Sequence, residues 1–77
     1  MTRDEFLRAL EEVLTIDAGT LQPGLALADV PEWDSLGVVD FQGLVDESLG
    51  LDVQPERINA CESVDDLLAL VGEKLSG

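Results

Sequence analysis

Two side chains in this 77-residue chain have acceptor or nucleophile chemistry worth weighing: Ser35, which follows Asp34, and the single cysteine, Cys61. The chain has no His, so a Ser–His–Asp hydrolytic site lacks its base. Asp34 does not become a base by adjacency. Cys61 has no basic partner to activate it and reads as a structural thiol near the start of the last helix. One cysteine also excludes an intrachain disulfide, and nothing points to an oxidising compartment. The carboxylates do not form the Asp-x-Asp-x-Asp-Gly loop of a calcium module. No catalytic residue and no metal site is expected.

Ser35 is different because of where it stands. Residues 16–33 contain Gly19, Pro23, Gly24 and Pro31 and read as a long loop, tacked to the core by Leu21, Leu25, Leu27 and Val30. A loop of this length in a small domain is often functional. Leu25-Ala26-Leu27 has the look of a short strand but no strand to pair with. A helix then starts at Asp34 or Ser35 and stops near Leu49, with Gly50 as its C-terminal cap. Serine and aspartate are both good N-caps, so capping is the ordinary role for either. The same position offers unpaired N–H groups and a partial positive charge, which favour a phosphate. Asp34 would repel one.

The other elements follow from period and caps. Thr2-x-x-Glu5 is a capping box, and Phe6, Leu7, Leu10, Val13 and Leu14 follow at helical spacing, predicting a helix over residues 3–15. Leu51-Asp52-Val53-Gln54-Pro55 reads as a short extended connector. Pro55 to Asn59 gives one or two turns of helix, with Pro near the first position. Ser63-x-x-Asp66 opens a last helix whose apolar face is Val64, Leu67, Leu68, Val71 and Leu75. The expected fold is all-α, a small four-helix bundle of three main helices and one short one in a single domain spanning 1–77.

The helix beginning at Ser35 has two apolar faces. At about 100° per residue, Val38, Phe41, Leu44, Val45 and Leu49 fall within an arc about 140° wide, a core-facing stripe. Leu36, Val39 and Gly43 fall on the other side, flanked by Asp40, Asp46 and Glu47, with Gln42 nearby. An apolar centre with a charged rim is the anatomy of a protein-binding patch. Gly43 inside a helix costs about 1 kcal/mol relative to Ala, so it is either a place for close approach or a tolerated defect.

Seventeen acidic residues oppose four basic ones, for a net charge of −13. Nucleic acid and anionic membranes are unsuitable partners for such a surface. Proteins with basic surfaces are suitable, and would be reached quickly by electrostatic steering. Apolar residues make up 45% of the chain, too many for a disordered acidic tail. No apolar run approaches membrane length, and the charged N-terminus does not read as a signal peptide, so a cytoplasmic monomer is expected.

Asp34-Ser35-Leu36 resembles the Asp-Ser-Leu motif of the acyl carrier proteins, placed as in that family at the start of a second helix after a long loop. Asp40 matches a usually acidic position. Leu49-Gly50-Leu51-Asp52-Val53 is similar to the family's close of that helix, and Ser63-Val64-Asp65-Asp66-Leu67 to the start of its last. The resemblance spans the chain. It implies the acyl-carrier type of four-helix bundle and a 4′-phosphopantetheine arm attached to Ser35 by a phosphopantetheinyl transferase. On the arm's thiol, acyl groups would ride as thioesters to partner enzymes of fatty acid, polyketide or nonribosomal-peptide synthesis. The implied partners are an acyl- or aminoacyl-loading enzyme and synthases or transferases with basic docking surfaces. They would meet Asp34, Leu36, Val39, Asp40, Gly43 and Glu47. Trp33, Gly37 and Gln42-Gly43 depart from the usual fatty-acid-synthesis pattern, which points towards a specialised pathway. The competing reading is an unmodified acidic helical adaptor for a basic partner.

Overall fold

The computed structural model describes residues 1–76. They form four α-helices: α1 (Arg3–Leu14), α2 (Ser35–Leu49), α3 (Pro55–Asn59) and α4 (Val64–Val71). Short 3-10 turns cover Leu27–Asp29 and Gly72–Lys74. The chain is all-α, with three main helices and one short one, as the periodicity predicts. None of its described helices is long and apolar enough to cross a membrane.

Both capping boxes form. Thr2 and Glu5 exchange side-chain and backbone hydrogen bonds at the start of α1, and Ser63 and Asp66 do the same at α4. The Thr2 N–H and hydroxyl hold the Glu5 carboxyl below its ordinary range. The Glu62 N–H, with help from Ser63, does the same for Asp66. A lowered carboxyl stabilises the fold above the ordinary carboxylate range, and that contribution is lost as pH falls through the lowered value.

Helix α1 ends at Thr15 in the left-handed region, at φ 60° and ψ 47°, with its N–H reaching the Glu11 and Glu12 carbonyls. A β-branched residue is strained there, where glycine is not. Thr15→Gly is expected to raise the unfolding free energy by about 1 kcal/mol, read from denaturant midpoints; an unchanged or lower midpoint would contradict the strain.

The core is a single cluster. Phe6, Leu10, Phe41, Val45, Ile58, Val64 and Val71 are fully buried within it, and Leu21 and Leu67 are nearly so. The Phe6 and Phe41 rings meet edge to face at 5.7 Å, joining α1 to α2. Leu44 and Leu49, on the predicted core face of α2, are half-buried at its margin.

Two expectations need correction. Leu25-Ala26-Leu27 does find a partner: Ala26 forms an antiparallel bridge with Ser63. The Leu27 N–H donates to the Glu62 carbonyl and the Val64 N–H to the Leu25 carbonyl, both at 2.9 Å. The approach to α4 is itself extended at Ser63, and that supplies a partner for one isolated bridge, with no strand formed. The last helix also stops at Val71, short of Leu75, and Gly72–Lys74 continue as a 3-10 turn. Leu75 still packs on the core, in extended conformation.

The long loop is tied to α1 by a buried acid that sequence reasoning did not single out. Glu11 is 1% exposed. Its Oε2 accepts the Leu21 N–H at 2.8 Å, and its Oε1 lies 2.9 Å from Arg8 Nε. The Arg8–Glu11 approach lies off the line of a good hydrogen bond, so it holds by charge more than by alignment. Arg8 also donates weakly to the Leu21 carbonyl at 3.4 Å.

Candidate functional site

The site is built where the loop meets α2. Asp34, in extended conformation, is the N-cap: its Oδ1 accepts the N–H groups of Leu36 at 3.0 Å and Gly37 at 3.1 Å. Ser35 therefore does not cap the helix. It is the first helical residue, it is exposed, and its hydroxyl takes part in no hydrogen bond among the described residues. The division of labour has a simple basis. A carboxylate is a charge-assisted acceptor for two N–H groups at once, so Asp34 outcompetes the neighbouring hydroxyl for them.

The start of α2 is therefore not the open anion cradle expected from its position. The two N–H groups that a phosphate would have used are already bonded to Asp34. The residues fit a phosphodiester at Ser35 through free access to the oxygen, with Asp34 setting the helix start, and not through a ready-made phosphate nest.

The approach to Ser35 is held by Trp33. Its N–H donates to the Val30 carbonyl at 3.0 Å, and its ring meets Phe41 edge to face at 6.1 Å. The ring lies against Gly37, one turn along. A Cβ on Gly37 would come to 3.2 Å from Trp33 Cε3, 3.2 Å from the Glu32 carbonyl oxygen and 3.4 Å from Leu14 Cδ2. Trp33 and Gly37 thus form one arrangement: a large ring and the notch that receives it.

The second apolar face of α2 is where the wheel puts it. Leu36 is 72% exposed and Val39 60% exposed. Gly43 is also exposed, and a Cβ there would meet nothing within 4 Å, so none of the described residues needs the gap. Asp34, Asp46 and Glu47 are exposed and Asp40 is half-buried, so all six predicted partner positions reach the surface. Val39, Gln42, Gly43, Asp46 and Asp52 line a shallow groove. The Gln42 side chain ties the connector to α2 by donating to the Val53 carbonyl at 3.1 Å. Asp52 was missed in the sequence because it lies outside any helical period.

Charge is strongly one-sided here. No Lys or Arg occurs between Arg8 and Arg57, and both ion pairs among the described residues involve Arg8. Unneutralised charge of one sign destabilises a compact state. Added salt or millimolar Mg²⁺ is expected to raise the melting temperature, followed by circular dichroism; a flat or falling trend would contradict that.

Cys61 stays outside the site. It is half-buried, and burial, then the Asp66 carboxylate, pushes its thiol up against a smaller opposing effect of Arg57. A raised thiol is protonated near neutral pH and is a poor nucleophile.

No protein-family model, curated protein or solved structure matches the chain.

Proposed function

We propose that this chain is an acyl carrier protein, with Ser35 as the attachment point of a 4′-phosphopantetheine arm. One observation carries the reading: an exposed serine hydroxyl, free of hydrogen bonds among the described residues, at the first residue of a helix whose cap is supplied by its neighbour. Such an oxygen is available to a modifying enzyme without any local unfolding. In attachment, Ser35 Oγ forms a bond to the pantetheine-side phosphorus of coenzyme A. The nucleotide portion leaves, and the serine proton passes to a base of the transferase. The arm supplies a terminal thiol for acyl transfer, while the protein supplies position and recognition.

The protein's own residues divide the remaining work. Asp34 fixes the start of α2, and Trp33 anchored on Gly37 and Phe41 fixes the approach to it. Leu36 and Val39 offer an apolar contact beside Ser35, and Asp40, Asp46 and Glu47 surround it with negative charge. That surface suits basic enzymes: steering speeds encounter, and the apolar pair contributes to holding the complex. The reading places the chain in the cytoplasm as a monomeric carrier, a cosubstrate and not an enzyme. Departures from the fatty-acid-synthesis pattern favour a specialised pathway.

Incubation with coenzyme A and a broad-specificity phosphopantetheinyl transferase is expected to add one arm per chain by intact mass. Ser35→Ala is expected to remove the addition while leaving the circular dichroism spectrum unchanged. A parent protein left unmodified would return the chain to the adaptor reading.

A further inference from the structure

We infer that the groove beside Trp33 is the resting site of the pantetheine portion of the arm, an inference that rests on the carrier reading. The groove has a volume of about 520 Å³ and is lined by Ala26, Ala28, Trp33, Asn59, Cys61 and Glu62 among others. Its walls come from parts of the chain that are clamped together. The Leu27–Glu62 and Leu25–Val64 backbone hydrogen bonds fix the loop segment against the entry to α4. The Trp33 ring is held by Phe41 and Gly37. The groove is therefore preformed, and filling it orders little of the protein.

Its chemistry suits a neutral amide chain. Ala26 and Ala28 are exposed and small, leaving room beside an aromatic ring that is only half-buried. Glu62 is the single acidic residue of the lining and no basic residue lines it, and the Asn59 side chain can both donate and accept. Pantetheine is an uncharged chain of two amides with a gem-dimethyl group, so it can meet the ring with alkyl surface and Asn59 with an amide. Position completes the argument. Trp33 stands two residues before Ser35, so their Cα atoms are within about 7 Å. A tethered ligand starts at an effective concentration in the millimolar range, enough for a weak groove to be occupied.

Trp33 is the only Trp in the chain, so its fluorescence reports on the groove directly. The protein before and after modification by coenzyme A and the transferase is compared by emission maximum and acrylamide quenching. Conversion to the modified form, verified by intact mass, is expected to shift the emission to the blue and reduce quenching. Ala28→Leu, which fills the groove at an exposed position, is expected to be modified equally well but to lose both changes. Full modification with unchanged Trp33 emission and quenching overturns the groove while leaving the carrier reading intact. The same spectral change in Ala28→Leu also overturns it, since proximity of the phosphodiester alone would then account for the signal. No gain in mass overturns both.

Discussion

Arg8→Ala is expected to lower the unfolding free energy by about 3 kcal/mol, measured by urea titration. The substitution leaves the Glu11 carboxylate, 1% exposed, without its counter-charge. It retains one hydrogen bond, from the Leu21 N–H. The Arg8 side chain is 37% exposed, so water can partly take its place, and the cost belongs at the lower end for a broken buried pair. The reverse substitution is milder. In Glu11→Leu the guanidinium can turn to solvent, and the main loss is the acceptor for Leu21, costing about 1–3 kcal/mol. The expected order is therefore asymmetric, with the arginine more costly to remove than the acid. An Arg8→Ala variant within about 0.5 kcal/mol of the parent, the range of an ordinary surface change, would show that the clamp does not hold the loop.

Gly37→Leu is expected to cost about 1–3 kcal/mol through overpacking, despite leucine's better helix propensity. The first added atom already comes to 3.2 Å from the Glu32 carbonyl oxygen and from the Trp33 ring, so the backbone or the ring must give way. If the notch and the ring are one arrangement, the effects of changing both are not additive. Trp33→Ala combined with Gly37→Leu is then expected to cost less than the two single changes together. Simple additivity in the double variant would mean that the two residues are stable independently and that the approach to Ser35 is not held in this way.

Much of this architecture is legible in the sequence because it is written in local signals. Two capping boxes, the Pro55 start of α3 and the Gly50 stop of α2 each depend on residues within one turn, and helical periodicity separates the two faces of α2. What escapes is what depends on residues far apart. The Ala26–Ser63 bridge could not be anticipated from Leu25-Ala26-Leu27 alone, since its partner is a few extended residues ahead of α4. Glu11 was legible in principle: it shares the apolar face of α1 with Leu7 and Leu14, and Arg8 stands three residues before it. At the site, sequence placed Ser35 and the Leu36–Val39 strip, but could not decide which of Asp34 and Ser35 caps the helix. That depends on the φ and ψ of one residue, which the two candidate caps share as possibilities. The resolution matters, because a capping serine would have spent its oxygen on the helix.

The most direct test is the intact mass of this chain purified from its own host, followed by fragmentation to locate any added group. The account predicts a mass raised by a single phosphopantetheine arm, bare or acylated, attached to Ser35. A chain that carries no such arm in its host during active growth, or carries it on a residue other than Ser35, would contradict it.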